Sequence, residues 1–216
     1  MKQPKDTVIA LCLVLAFMAE SRAQDRPQPV RLVIAAQFST DSRIGEQGLV
    51  HGNFPIARAI HPFRKLAARL MSHAGVRLAG DGVGLLHIEA QGLALGTLYD
   101  FMDNRARLRH LRFTGATIEG SVSLTSERTG WTCAARFAGT IDARKSGLVV
   151  GVWDYREAPQ FAPFDKALRE PGSFVAALMA VIATVYDADP LAAARADPGL
   201  GAALDEPLPA VECATP

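Results

Sequence analysis

The sequence predicts an α+β protein: an antiparallel sheet of about four to five strands with helices packed on one face. Three observations predict it. An apolar, β-branched stretch opens the domain, consecutive stretches of alternating polarity fill its middle, and helical patterns occupy only two places, after the first strand and near the end. Strands that follow one another without a helix between them favour antiparallel pairing, because a short turn returns the chain beside itself. No repeated strand–helix–strand alternation is visible, so the expected order is strand, helix, strands, helix.

Before the first element, residues 1–23 read as a secretory signal peptide. Lys2 and Lys5 supply the positive start, Val8 to Met18 the apolar core, and Ser21-Arg22-Ala23 puts small side chains at the minus-three and minus-one positions of a cleavage site. A core of that length rises about 16 Å as a helix against a hydrocarbon layer of roughly 30 Å, so it is not read as a membrane span. Cys12 follows Leu11 inside the apolar core and does not fit lipid attachment. Cleavage takes three basic residues (Lys2, Lys5, Arg22) and two acidic ones (Asp6, Glu20) from totals of 23 and 22, leaving 20 of each and a net charge near zero. That balance argues against nucleic acid as a partner. No later run is long and apolar enough to span a bilayer. The expected location is the periplasm or the cell exterior.

A polar stub, 24–29, precedes the domain, 30–204. Val30 to Phe38 is the first strand, and 39–54, with three glycines, is read as a loop. Ile56, Ile60, Phe63, Ala67, Leu70 and Ala74 then step by three and four, with Arg58, Arg64, Lys65, Arg69 and His73 away from that stripe. Pro62 either opens this helix or kinks it, and Gly75 is its stop. Gly80-Asp-Gly82 is a turn. Leu86, Ile88 and Ala90 alternate with His87, Glu89 and Gln91 as in a half-buried strand. Strands follow at about 109–125 and 131–142. The first slips by one residue near Gly115, where a bulge would absorb it. In the second, Trp131, Cys133, Ala135, Phe137 and Ile141 share a face. Leu148 to Trp153 is a further edge strand. Phe174 to Tyr186 is apolar all round and reads as a buried helix, and Asp189-Pro190 and Asp197-Pro198 as capped helix starts. The tail, 205–216, is irregular except where Cys213 pins it.

At fold level this order resembles the small Gram-negative envelope proteins that assist lipopolysaccharide assembly or lipid transport. Those are usually lipidated, and this chain lacks the attachment pattern. Enrichment in Ala, Arg and Gly fits a GC-rich bacterial genome.

Cys133 and Cys213 remain after cleavage, and an isolated pair in an oxidising compartment forms a bridge. It closes a loop of about 80 residues, worth about 4 kcal/mol on the chain-entropy account. No metal site is read from the five histidines: His61 and His73 stand about 18 Å apart along one helix, and no close ligand pair exists. Asp100, Asp103 and Asn104 fall short of a calcium loop and read as a polar turn. No cofactor motif is found. G-x-S-x-G and S-x-x-K are absent, but Ser39, Asp41 and His51, with Ser42 and Glu46, gather hydrolase residue types in the 39–54 loop. Arg105, Arg107 and Arg109 project to one side if extended, which suits an anionic lipid, a glycan or an acidic protein. The plainer account is an arginine-rich edge that resists strand pairing, or pairing with Asp100 and Asp103. The leading expectation is an exported, non-catalytic envelope protein that binds a protein partner or an anionic envelope component. The alternatives are a hydrolase using the 39–54 segment and a lipid carrier.

Overall fold

The protein is described by a computed structural model that covers residues 27–44, 49–53, 60–103, 106–127, 129–142, 153–154 and 166–215. Residues 1–23, read from the sequence as a signal peptide, lie outside the described residues.

The elements are β1 (Val30–Ile44), β2 (Leu49–Asn53), α1 (His61–His73), β3 (Gly84–Asp103), β4 (Ala106–Thr125), β5 (Thr132–Asp142), β6 (Trp153–Asp154), α2 (Phe174–Tyr186), α3 (Asp189–Arg195), α4 (Gly201–Leu204) and β7 (Glu212–Ala214). The class is α+β. Five strands form the body of the sheet in the order β2-β1-β3-β4-β5; β7 extends it beside β5, and β6 pairs with β4.

The sheet is mixed, which corrects the expectation of an antiparallel one. β1 and β3 run parallel from Val30↔Gly84 to Ile44↔Leu98, while the other pairs are antiparallel. The cause is α1. A helix between two neighbouring strands carries the chain back to the end where it began, so the second strand must run parallel to the first. The expected element order also changes, because 39–54 is not a loop. β1 continues through Ser39–Ser42 to Ile44, and 49–53 returns beside it as β2. Fifteen registered backbone pairs with β3 override the weak strand preference of those polar residues.

Most of the periodic reading matches. α1 begins at His61 with Pro62 in its first turn, and Gly75 follows at φ +70°, a conformation that needs no Cβ. It buries Phe63, Leu66, Ala67, Leu70 and Met71. The slip near Gly115 is a bulge: Leu95 pairs with Gly115 and Gly96 with Phe113, so Thr114 is passed over. β5 alternates as expected from Cys133 to Ile141, but Trp131 before it is 49% exposed. Asp100 and Asp103 belong to β3, not to a turn. Of the expected strand at 148–153, only Trp153 is described, within β6.

The core lies between one sheet face and the helices. Leu86 and Ile88 of β3, Val122 and Leu124 of β4, and Ala135 and Phe137 of β5 share this core with α2, which is buried from Phe174 through Ile182. Phe174 is the keystone: its ring packs edge-on against Phe63 at 4.9 Å and against Phe137 at 5.5 Å. The opposite face, with Arg31, Val33, Ala35, Gln37, Glu89, Gln91, Arg136 and Ala138, is open to solvent. No helix among the described residues is long and apolar enough to cross a membrane.

Candidate functional site

The sheet carries a row of small residues across three strands. Ala36 of β1 pairs with Ala90 of β3, Ala90 with Gly120 of β4, and Gly120 with Phe137 of β5. Inward-facing positions elsewhere on these strands hold Ile34, Ile88, Val122 and Ile118, so the row is a local hollow. Gly120 is required there: a Cβ would stand 2.0 Å from the Glu89 carbonyl oxygen and 2.8 Å from the Phe137 ring. Ala36, Ala90 and Gly120 are only partly buried, although Phe137, at the end of the row, is covered by α2.

Along this row runs a cleft of about 1030 Å³. Gly172, two residues before α2, lines it as well, which sets the opening at the seam between sheet and helical layer. Gln37, Glu89, Gln91, Glu119, Ser121 and Arg136 border it as well, but they alternate with the inward row, and Gln91 Nε2 donates a hydrogen bond to Glu119 Oε1 on the solvent-facing side of the sheet. Polar and apolar atoms share its exposed lining about equally and it is wide open to solvent; its volume lies at the large end of the common range for ligand pockets. What it offers chemically is shape, apolar contact and a small number of hydrogen bonds.

A second cluster sits on the helical layer. Arg69 and His73, one turn apart on α1, both reach Asp197. Arg69 Nε donates to Oδ2 at 2.6 Å, its Nη2 donates to Oδ1 and, at 2.9 Å, to the Pro198 carbonyl, and His73 Nε2 lies 2.9 Å from Oδ2. The Arg69 guanidinium holds the Asp197 carboxyl below its ordinary pKa, with His73 adding to this and desolvation opposing it. This corrects the capping assignment: Asp197 clamps α1 to the segment before α4 and caps no helix. Asp189 does not cap either, since it lies within α3 after Ala188 and makes no side-chain cap bond. Pro190 does stand in the first turn.

Cys133 and Cys213 are directly opposite in the β5·β7 ladder, a disulfide-compatible pair with sulfurs 2.08 Å apart and Cα atoms 4.0 Å apart. The hydrolase residue types fall on two paired strands: Asp41 of β1 is the register partner of His51 of β2, and Ser39 stands two residues from Asp41. Their side chains lie outside the described residues, as do Glu46 and Arg105. Arg107 and Arg109 are on β4, opposite Met102 and Asp100 of β3. Sequence reasoning missed the cleft because small apolar residues in a strand look like any others. Gly120 inside a strand was the one available signal. The Asp197 clamp was half visible as Arg69 and His73 at helical spacing.

The sequence matches no known family model and no curated protein, and the fold matches no solved structure.

Proposed function

We propose that this chain is an exported, non-catalytic binding protein that holds an elongated, mainly apolar ligand, such as the acyl chain of an envelope lipid, in the cleft between sheet and helices. The observation that carries this reading is the Ala36–Ala90–Gly120 row, a floor of small side chains beside a cleft of about 1030 Å³. A chain laid across the strands there would exchange water for apolar contact, at roughly 25 cal/mol per Å² of surface buried. Export rests on the sequence of residues 1–23.

Filling the hollow tests the reading. Ala90→Leu places a larger apolar side chain on the floor, where the half-buried position leaves room for it to fold. Binding of a fluorescent fatty acid should weaken at least about tenfold, equivalent to about 1.4 kcal/mol, with the circular dichroism spectrum unchanged. Unaltered binding by the variant, or no binding by the parent protein, removes the cleft as the site. Ser39→Ala and His51→Ala should leave probe binding intact. Loss of ester hydrolysis in those two variants, with the cleft inert, would transfer the function to the β1–β2 segment.

A further inference from the structure

We propose that the first turn of α2 receives the carboxylate of a fatty acid whose chain lies in the cleft, with the Ser173 hydroxyl and the Phe174 and Ala176 amides as its donors. This rests on the reading of the cleft as an acyl-chain site and names the head group that site takes.

A helix leaves its first N–H groups without partners in its own backbone, and a serine just before it ordinarily accepts one of them. Ser173 stands in that place, with extended backbone, and makes no such bond. It is fully buried, and its Oγ has no hydrogen-bond partner, the one such side-chain atom among the described residues. Of the first three amides of the helix, that of Val175 donates to the Leu168 carbonyl at 3.0 Å. Those of Phe174 and Ala176, both buried residues, donate to no backbone carbonyl among the described residues. Buried donors are rarely left unmet. Three at one helix end are what an anion satisfies.

The hydroxyl faces the seam between α2 and the sheet. A Cβ on Gly139 of β5 would stand 2.6 Å from Ser173 Oγ and 2.5 Å from the Ala167 carbonyl oxygen, so this glycine lets the start of α2 lie against β5. The Ala167 carbonyl does not accept from the hydroxyl. Phe137 and Ala138, just before Gly139, line the cleft, and so does Gly172, just before Ser173. The donors thus lie one residue behind the lining. Gly172 is exposed, offers no side chain, and has open space where a Cβ would be.

Two amides and a hydroxyl can give three hydrogen bonds to the two oxygens of a carboxylate. The positive end of a helix amounts to roughly half an elementary charge, in scale with a monoanion and not with a phosphate dianion. From this head-group site the acyl chain would cross Phe137, Gly120, Ala90 and Ala36 in turn, the order in which the register sets them side by side. Three strand spacings give it a track of about 14 Å.

Equilibrium binding of a fluorescent fatty acid and of its methyl ester to the purified protein at about pH 8, where the acid is ionised, tests the assignment. The parent should bind the acid roughly tenfold or more tighter than the ester, because hydrogen bonds to a charged group are the stronger kind. Ser173→Ala should lower that ratio about threefold or more. It should not lower the melting temperature, since the hydroxyl it removes has no partner in the free protein. Ser173→Asp, a favoured residue before a helix, brings its own carboxylate to the same amides and should abolish the preference. Equal binding of acid and ester by the parent overturns the head-group assignment and leaves the cleft as an acyl site. A preference that neither substitution reduces overturns it too, and earlier melting of Ser173→Ala with the ratio intact marks the serine as a cap alone. Binding of neither probe removes the cleft reading and this one with it.

Discussion

Asp197 holds two side chains of α1 at once, and its titration follows from that. Because Arg69 depresses its pKa, the folded protein releases this proton more readily than the unfolded chain does. The clamp's contribution is therefore complete above the unfolded pKa, near 4, and is lost as pH falls through the lower folded value. Asp197→Asn should cost on the order of 1 kcal/mol at neutral pH, since Arg69 is part exposed and the pair is screened. Urea midpoints measured from pH 7 down to the acid limit should fall less steeply for the variant. Parallel curves would mean that the clamp carries no titration. Nearby, the Arg169 guanidinium donates to the Gly199 carbonyl and Arg195 Nε to that of Leu204, so three arginines stitch the 197–204 segment to α1, α3 and the turn before α2.

At the scale of elements, α2 decides whether the two layers join. Its N-terminal Phe174 meets Phe63 from α1 and Phe137 from β5, so one ring touches both other parts of the core. Phe174→Ala should destabilise by about 3–5 kcal/mol. A thermal or urea melt checks this, and a loss below 1 kcal/mol would show that the neighbours collapse into the gap. This helix was legible in the sequence, because an apolar run of its length without strand alternation can only be buried. α1 and β5 were legible for related reasons, and Gly115 gave away its bulge by a break in alternation. Strand direction was not legible. Alternation says which side chains are buried and nothing about which way the neighbour runs. The extension of β1 through Ser39–Ser42 was hidden too, since polar residues and nearby glycines imitate a loop until pairing with β3 recruits them. The cleft was least legible of all. Ala36, Ala90 and Gly120 are far apart in the chain and form a floor only once the register of three strands is known.

Across the whole molecule, the β5·β7 pair ties the end of the chain to the outer strand of the five-strand body. Replacing Cys133 and Cys213 with serine should lower stability by about 2–4 kcal/mol if the bond is closed. Urea melts with and without reductant provide the check. The parent should shift on reduction and the double variant should not, and identical parent curves would mean that the sulfurs are unbonded thiols. The tail between α4 and β7 also lays Leu208 and Val211 against the core, so freeing Cys213 loosens a packed strap.

The parallel pairing of β1 with β3 bears on the order in which the chain can acquire its structure. Hairpins β3·β4 and β4·β5 join neighbours in sequence and can zip from their turns. Val30 must instead wait for Gly84, with α1 lying between them. A long loop must close before any of that contact is rewarded, which slows folding relative to local pairing. Until then the apolar 30–38 part of β1, which β2 does not reach, is bare, the kind of segment that finds wrong partners. Residues 30–38 therefore stay uncovered until β3 has formed beside them.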